Sequence, residues 1–324
     1  MVAPLIKYVN ALSAGYSFLI SSLTGRSIVS GMPVSVSAEL TNYCNLNCPE
    51  CNSGSGLMTR NRGYMDIDLF SKVIKEIGPC LFNINLYFQG EPMLHPKFFT
   101  FLRKCSDINT TVSTNGHFLS EESAEKLVKS GLKKIIVSLD GFDQDTYSEY
   151  RKNGNINKVF EGIKFISEAK KRNSSSIRLV IQFLVNRINE HQIKDIRHYA
   201  HKMGASLSLK SMQILNKEKT GLWLPAIRKY RRYEQDGDGY RIKSRLPDMC
   251  ARLWFNPVIS WDGKVLPCCF DKDAEHVMGD LNEDSFRDIW NGPRYRIFRK
   301  SILSDRRMTE ICRNCTSGLR FIKT

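Results

Sequence analysis

Eight of the ten cysteines in this 324-residue chain fall into two groups, and clustered thiolates are typical ligands of metals and iron–sulfur clusters. The first group contains Cys44, Cys48 and Cys51, and the second contains Cys250, Cys268, Cys269, Cys312 and Cys315. Secreted disulfide frameworks are short and loop-rich, so clustered cysteines in a chain of this length favour metal binding. Cys80 and Cys105 stand alone near the ends of apolar helical stretches, where we expect small buried side chains.

The first group has the spacing C-x3-C-x2-C and follows an apolar stretch that is predicted to be a strand. One loop can wrap three such thiolates around a metal centre and leave a fourth position open, as catalytic metal sites do. Zinc would need a fourth ligand to close the site, and no histidine or further cysteine stands nearby in the sequence. Because iron–sulfur clusters use thiolates throughout, the loop is interpreted as an iron–sulfur site.

The second group reads Cys250-x17-Cys268 and, after a gap, Cys312-x2-Cys315. Four cysteines could close a tetrahedral zinc site or hold a second iron–sulfur cluster, and the spacing leaves both open. Adjacent cysteines rarely bind one cluster together, so Cys269 is interpreted as a surplus thiol with a packing role.

The elements that must position these groups form a strand–helix alternation between residues 34 and 212. The predicted strands are Val34–Leu40, Asn83–Phe88, Asn109–Ser113, Lys134–Leu139, Ile177–Leu184 and Ser206–Lys210. The predicted helices are Leu69–Ile77, Phe98–Cys105, Glu121–Ser130, Gln144–Arg151, Ile156–Arg172 and Glu190–Met203. Such alternation predicts an α/β fold with parallel strands joined by helical crossovers. Six units are too few for a complete eight-stranded barrel, which leaves a partial barrel or a doubly wound sheet.

Four segments follow from these patterns: residues 1–33, 34–212, 213–247 and 248–324. Residues 5–23 are apolar and are predicted to form an amphipathic helix that caps the barrel, because no basic face suited to a membrane accompanies them. Residues 213–247 are charged and aromatic, and we expect a linker or lid there. The last segment is a small cysteine-rich domain in which Asp262-Gly263 predicts a β-hairpin turn.

The cysteine loop after the first strand resembles the signature of the radical S-adenosylmethionine (SAM) enzymes, and the resemblance covers about residues 34–212. Further motifs in the family's order are Gly90-Glu91-Pro92, Ser113-Thr114-Asn115-Gly116, Ser138-Leu139-Asp140-Gly141 and Tyr150-Arg151. The resemblance implies a partial (β/α)6 barrel in which Glu91, Ser113, Ser138 and Arg151 contribute to SAM binding. One departure is Glu50, because the residue before the third cysteine is usually aromatic and lies near the adenine.

The C-terminal segment resembles the SPASM/twitch auxiliary-cluster domains. The longer SPASM form has seven cysteines, whereas this chain ends nine residues after Cys315 without another cysteine, which is typical of the twitch form. The resemblance therefore implies two [4Fe–4S] clusters. The SAM-binding cluster would have the three ligands Cys44, Cys48 and Cys51, and the auxiliary cluster would have the four ligands Cys250, Cys268, Cys312 and Cys315.

The resemblance implies an oxidoreductase that cleaves SAM reductively to a 5′-deoxyadenosyl radical and abstracts hydrogen from a C–H bond. Twitch-domain relatives include enzymes that oxidise aminocyclitol alcohols, so dehydrogenation of a small sugar- or cyclitol-like alcohol is the first expectation. A peptide maturase that crosslinks or epimerises its substrate is the alternative, although only residues 1–33 precede the first strand, too few for a peptide-recognition domain. A non-enzymatic iron–sulfur or zinc-binding interaction protein is the second alternative, and it leaves the ordered strand-end motifs unexplained.

The chain carries 48 Lys and Arg against 33 Asp and Glu, a formal net charge of +15. A basic surface suits an acidic electron donor such as flavodoxin or ferredoxin. Nucleic-acid-binding motifs are absent from the sequence, and no apolar run approaches the ~20 residues of a transmembrane segment. Without a secretory cleavage signal, the expected location is the cytoplasm.

Overall fold

The computed structural model describes residues 2–243 and 246–315. Its helices are α1 Val2–Thr24, α2 Asn52–Ser55, α3 Ile67–Ile77, α4 Phe98–Lys104, α5 Glu121–Lys129, α6 Gln144–Tyr150, α7 Ile156–Arg172, α8 Ile193–Lys202, α9 Thr220–Trp223, α10 Arg252–Phe255, α11 Phe286–Asn291 and α12 Pro293–Asp305. Its strands are β1 Ser35–Ala38, β2 Asn83–Asn85, β3 Asn109–Thr114, β4 Lys134–Ser138, β5 Arg178–Val185, β6 Ser206–Ser211, β7 Tyr233–Asp236, β8 Gly239–Ile242, β9 Val258–Ile259, β10 Lys264–Leu266 and β11 Gly279–Asp280.

The six predicted strands and the helices between them are all present, which confirms the α/β fold class. Helix α3 shows why the local sequence pattern is sufficient to predict such an element. Its Asp66 side chain caps the helix by accepting hydrogen bonds from two backbone N–H groups of the first turn. Phe70, Val73 and Ile77 then follow at helical spacing and are buried. Capping and an apolar stripe together fix both the start of the helix and the face that it buries.

Residues 2–42, 59–110 and 246–315 form one compact unit, which we call the first unit. Within it the strands lie in the order β11-β10-β9-β1-β2, and β1 is parallel to both β2 and β9. Strands β9 and β10 form the predicted hairpin. Its turn requires Gly263, whose φ of +87° is in the left-handed region that favours glycine.

Residues 43–58 and 111–243 form the other compact unit, the second unit. Here β3, β4, β5 and β6 follow one another in sequence order, and each neighbouring pair is parallel. Helices α5 and α7 pack against each other. The strands bury Val112, Ile135, Val137, Ile181 and Phe183, each fully or almost fully inaccessible. Parallel strands buried in this way need continuous apolar stretches, which is the pattern that the sequence shows.

Residues 213–243, where we expect a linker or lid, contain α9 and an antiparallel hairpin of β7 and β8. The two strands have four residues each and are half exposed, so they lack the apolar alternation that identifies a strand in a sequence. The Asp-Gly-Asp-Gly sequence is their turn, with Gly237 at a φ of +57°. The small domain likewise contains α11 and α12, which the sequence reading missed. Cys105 is buried as predicted, whereas Cys80 is partly exposed.

Helix α1 lies on the first unit through a face of small residues. Ala14, Ser17 and Ser21 are almost completely buried, and Phe18 makes an edge contact with Trp254 at a centroid distance of 5.5 Å. Small side chains let the helix approach closely, and a Cβ on Gly31 would already lie 2.9 Å from the Ala14 nitrogen. Among the described residues, no helix is both long enough and apolar enough to cross a membrane.

Candidate metal centres

Hydrogen bonds between residues 41–42 and residues 61–63 of the first unit join the chain before the cysteine loop to the chain after it, and we call them the stem of the loop. The Thr41 hydroxyl donates to the Gly63 carbonyl at 2.7 Å, and the Asn42 amide donates to the Asn61 carbonyl at 2.8 Å. The Gly63 N–H returns a hydrogen bond of 3.0 Å to Asn42 Oδ1. These bonds bring the two ends of residues 43–58 together, so the segment with the three cysteines starts from fixed points.

A buried ion pair that the sequence reading missed reinforces this stem. Glu39 is completely buried directly after β1, and Arg60 holds its carboxylate with two hydrogen bonds of 2.5 and 2.6 Å. Burial raises the pKa of the Glu39 carboxyl, and the Arg60 guanidinium opposes that rise. The Trp261 N–H adds a hydrogen bond of 3.2 Å. Because either charge alone would be buried without compensation, loss of one partner costs about 3–5 kcal/mol.

The three cysteines lie in a compact turn of the second unit. Cys48 is buried, while Cys44 and Cys51 are partly exposed. The Cys51 N–H donates to the Cys48 carbonyl at 3.3 Å, and α2 begins at once, with the Gly54 N–H donating to the Cys51 carbonyl at 3.0 Å. The turn and the helix together define the path of the backbone between the second and third thiols.

Gly54 is a point at which this packing can be tested. A Cβ at this position would lie 2.5 Å from the Cys48 nitrogen and 3.0 Å from the Cys48 carbonyl oxygen, both backbone atoms that cannot rotate away. We expect Gly54→Ala to displace the loop and to remove most of the about four irons that a cubane at this centre would hold. Iron per chain after anaerobic reconstitution measures the effect.

The matched control is Gly15→Ala, the same change in helix α1, where a Cβ meets nothing within 4 Å. Alanine is about 0.5–1 kcal/mol better than glycine in a helix, so this variant should fold and bind iron normally. Full iron content in the Gly54→Ala protein would show that the loop has room to adjust.

Arg151 is a charged group placed beside the thiols. Its Nη1 lies 3.8 Å from Cys48 Sγ, and its Nη2 forms an ion pair of 2.6 Å with Asp140. The Leu184 N–H also donates to Asp140, at 2.6 Å, so the carboxylate is itself fixed. Burial lowers the pKa of the Arg151 guanidinium, but the charges of Asp140 and Cys48 outweigh burial and raise it. The site thus keeps a permanent positive charge next to Cys48.

Asn115 provides a second contact with the cysteine loop. Its side-chain amide donates to Asn45 Oδ1 at 2.8 Å and approaches Cys44 Sγ to 3.8 Å. Asn115 comes directly after β3, as Asp140 comes after β4, so the ends of neighbouring parallel strands deliver both groups. The Ser-Thr-Asn-Gly motif therefore contacts the cysteine loop directly, through Asn115. The Ser-Leu-Asp-Gly motif acts indirectly, because its Asp140 holds the Arg151 side chain that lies beside Cys48. Sequence reading had chosen the serine of each motif.

The other residues predicted to contact SAM are located as follows. Ser113 and Ser138 lie at the ends of β3 and β4 in the second unit, opposite Ile136 and Gln182 of the neighbouring strands. Glu91 belongs to the first unit, is 1% exposed, and accepts a hydrogen bond of 3.1 Å from the N–H of the second residue after it. The carboxylate thus stabilises a turn after β2, and the SAM-binding roles of these three residues and of Arg151 stay predictions.

An aromatic wall covers the cysteine loop within the second unit. Cys48 packs in one buried cluster with Tyr150, Trp223 and Tyr233, and Tyr240 packs against its edge. The last three residues come from the segment that was expected to be a linker or lid. That segment therefore shields the Cys48 thiol from water and covers part of Cys44 and Cys51.

Glu50 of the cysteine loop forms hydrogen bonds with this covering segment, residues 213–243. Its side chain is 4% exposed, and its Oε2 accepts hydrogen bonds from the N–H groups of Leu215, at 2.6 Å, and Asn216, at 3.3 Å. The unusual acidic residue before the third cysteine thus satisfies backbone donors that follow β6. The local sequence could not show this, because the two parts are 165 residues apart.

The second cysteine group lies in the first unit, and its four predicted ligands Cys250, Cys268, Cys312 and Cys315 are buried while Cys269 is partly exposed. A zinc ion bound at ~2.3 Å would draw the sulfurs to about 3.8 Å from one another. Within residues 2–243 and 246–315, however, no three cysteine sulfurs lie within 4.8 Å of each other. A four-iron cubane, which binds each thiolate at a different corner, needs no such close approach of the sulfurs.

Two arginines compensate the charge of this second group. Arg306 is 1% exposed and directs its Nη2 to Cys315 Sγ at 3.4 Å and to Cys250 Sγ at 3.8 Å. The thiol of Cys269 above all raises the pKa of the Arg252 guanidinium, against the effect of burial. Hydrogen bonds and charges of this kind set the reduction potential of a thiolate-bound cluster. Neither arginine was recognised in the sequence.

Comparison with protein-family models gives two matches. Residues 38–200, half of the chain, match the model of the radical SAM superfamily. Residues 250–316 match the model of the SPASM iron–sulfur cluster-binding domain. The two matches contain the first and second cysteine groups respectively.

Two curated proteins illustrate the range of relatives. A probable GTP 3′,8-cyclase of Methanocaldococcus jannaschii is 30% identical over 58% of this chain, and the match spans 62% of the cyclase's own length. A cofactor-modifying protein for tungsten-containing aldehyde ferredoxin oxidoreductase from Pyrococcus furiosus is 24% identical over 88% of both chains.

Solved structures share the fold at lower identity. BtrN, crystallised with AdoMet and 2-DOIA, has a TM-score of 0.54 and 18% identity, covering 89% of this chain and 94% of its own. Streptococcus suis SuiB bound to its precursor peptide SuiA has a TM-score of 0.62 and 15% identity, covering 83% of this chain and 67% of its own. At these identities the likeness concerns the fold alone.

Proposed function

Because this chain belongs to the radical SAM superfamily and carries a SPASM-type iron–sulfur region, we propose that it is a dehydrogenase that oxidises a small sugar- or cyclitol-like alcohol. The observation that carries the proposal is the pairing of a loop of three cysteines with a group of four buried cysteines, which we interpret as an open and a closed centre. An open centre can activate SAM, and a centre without a free iron can accept an electron but has no place for a substrate ligand. The chain is an enzyme with SAM and iron–sulfur chemistry, and the dehydrogenation is the proposed part.

Cys44, Cys48 and Cys51 would hold the SAM-binding cluster. The chemistry supplied with the cluster bound is reductive cleavage of SAM to methionine and a 5′-deoxyadenosyl radical, which takes hydrogen from a substrate C–H bond. Arg151 lies beside Cys48 and is held by Asp140, and we assign its positive charge to the binding of the SAM carboxylate. The aromatic wall keeps water from this region.

We assign Glu91, Ser113 and Ser138 to the binding of SAM, from their places after successive strands. The adenine then has no aromatic neighbour from position 50, because the Glu50 carboxylate is used by the backbone of the covering segment. The aromatic residues of that segment, such as Trp223, are the available substitutes within the second unit.

Cys250, Cys268, Cys312 and Cys315 would hold the auxiliary cluster, one thiolate for each of its irons. Arg306 donates toward two of these sulfurs and thereby favours the reduced state of what they bind. Oxidation of an alcohol to a carbonyl balances when the C–H hydrogen goes to 5′-deoxyadenosine, the hydroxyl proton goes to a base, and one electron goes to the auxiliary centre. An acidic donor such as flavodoxin or ferredoxin in the cytoplasm would supply the electron that starts each turnover.

The test is product analysis with the anaerobically reconstituted enzyme. Candidate aminocyclitols and sugars carrying deuterium at each carbinol carbon are incubated with SAM and dithionite. We expect deuterium in 5′-deoxyadenosine and a product that has lost one deuterium and the hydroxyl hydrogen of the substrate. SAM cleavage without deuterium transfer from any alcohol would refute the dehydrogenase assignment while leaving the superfamily assignment intact.

Modification of a ribosomal peptide is the second candidate, favoured by the fold shared with SuiB, whose structure holds a precursor peptide. The same incubation with peptides encoded beside the gene would then give a crosslinked or epimerised peptide. The third possibility, a binding protein without enzymatic activity, does not account for membership of the radical SAM superfamily.

A further inference from the structure

Helix α1 exposes an unbroken apolar face. From residue 5 to residue 23, every exposed side chain is a large hydrophobic one: Leu5, Ile6, Tyr8, Val9, Leu12, Tyr16, Leu19 and Leu23. Leu12 is 76% exposed and Leu23 is 74% exposed. A helix on the surface of a water-soluble protein normally turns charged and polar residues outward, so this pattern is inverted. We call these eight residues the outer face of α1.

One residue of the outer face also helps to hold α1 in place, because the Tyr8 ring contacts Phe82 edge-on at a centroid distance of 5.4 Å. The helix packs on the first unit through the opposite side, where Ala14, Ser17 and Ser21 are buried. The Trp254 N–H also donates to the Ile28 carbonyl at 2.9 Å, which fixes the chain that follows the helix. The apolar side chains therefore have a role outside the unit that carries them, because exposed apolar patches of a few hundred Å² mark interaction sites.

Helix α1 has no basic face of its own, but the few charges of this segment are all positive and do not oppose an anionic surface. The first acidic residue of the chain is Glu39, and the charged side chains before it are the basic Lys7 and Arg26. The whole chain has a formal charge of +15. An anionic surface would thus meet attraction and no opposing charge along this segment, whereas a second copy of the chain would bring the same positive charge.

We propose that the outer face of α1 binds the surface of a lipid bilayer, with the helix lying in the plane of the headgroups. The apolar side chains enter the boundary between headgroups and acyl chains, and Tyr8 and Tyr16 have the apolar ring and polar tip that such a boundary favours. A free amphipathic helix turns a polar face toward water. In α1 the side opposite the outer face packs on the first unit instead. The enzyme would accordingly work at a membrane surface without crossing the membrane.

The outer face extends about 27 Å along the helix, from Leu5 to Leu23. Its insertion into a bilayer is favourable because the free energy of transfer scales with the apolar area that leaves water.

The experiment is flotation of the full-length holoenzyme with vesicles of phosphatidylcholine and phosphatidylglycerol. We expect the wild-type protein to float, and Leu12→Glu/Leu19→Glu to reduce the bound fraction at least about ten-fold. The control Ser13→Glu/Thr24→Glu adds the same charges to α1 outside the outer face and should still float. Leu12→Gln/Leu19→Gln removes the apolar groups without adding charge and should lower binding in the same direction.

Each variant is also measured for SAM cleavage, which reports an intact fold, and for mass in solution without lipid. Failure of the wild type to float, or equal flotation of the Leu12→Glu/Leu19→Glu protein, overturns the proposal. A wild-type dimer that this variant converts to a monomer, with no vesicle binding by either, would assign the face to a second copy instead.

Discussion

Formation of 5′-deoxyadenosine under anaerobic, reducing conditions is expected to fall to background when Cys44, Cys48 and Cys51 are all replaced by alanine. The loop supplies these three thiolates, and the contacts of Arg151 and Asn115 are directed at two of them. Without the thiolates no iron remains to receive SAM, and no other group in the loop can take their place. Chromatographic detection of 5′-deoxyadenosine and methionine measures the effect.

The matched control is Cys80→Ala/Cys105→Ala, which removes thiols that stand apart from both groups. It should keep wild-type iron content and SAM cleavage. If the triple variant still cleaved SAM at the wild-type rate, the loop would not be the SAM-activating centre and the proposed function would fall with it.

The second large effect is expected from Cys312→Ala/Cys315→Ala. These residues would bind half of the auxiliary cluster, so iron should fall from about eight to about four per chain. The three cysteines of the SAM-binding loop belong to the other compact unit, so SAM cleavage should persist as long as the first unit, which carries Glu91, stays folded. Oxidation of substrate should stop, because the substrate radical has lost its electron acceptor.

Cys269→Ala is the informative control, since it removes a thiol adjacent to Cys268 that is not assigned as a ligand. It should retain about eight irons and an unchanged spectrum. Zinc at the C-terminal site of the wild type, or a spectral change of the auxiliary cluster on adding substrate, would contradict a closed centre dedicated to electron transfer.

The sequence predicted the parts of the fold that depend on local pattern. The helix predicted at Ile156–Arg172 has the same bounds in the structure, because Asn155 caps its start and apolar residues repeat along it. The hairpin at Asp262-Gly263 followed from turn chemistry alone. The hairpin of β7 and β8 was missed because its short, half-exposed strands lack a distinct alternation of apolar and polar residues.

The groups around the cysteines were harder to predict, because their partners are distant in sequence. Arg60 forms hydrogen bonds with Glu39, which is 21 positions away in the sequence, and Arg306 contacts Cys250, which is 56 positions away. The motif after β4 predicts Ser138 as a SAM contact, and that role stays a prediction, whereas the contact of Asp140 with Arg151 was not predicted. A charged residue placed directly after an apolar strand, as Asp140 and Glu39 are, is the signal that would have identified both.

The buried Arg306 also determines what becomes of a molecule that has lost its second cofactor. Its guanidinium faces Cys315 and Cys250, which are negative when they hold iron and become neutral thiols when they do not. An unpaired cation would then be enclosed in the small domain, at a cost of several kcal/mol. We therefore expect that domain to open and to become accessible to proteases. Oxygen exposure would thus shorten the lifetime of the polypeptide itself, and the cellular pool would consist mainly of fully loaded enzyme.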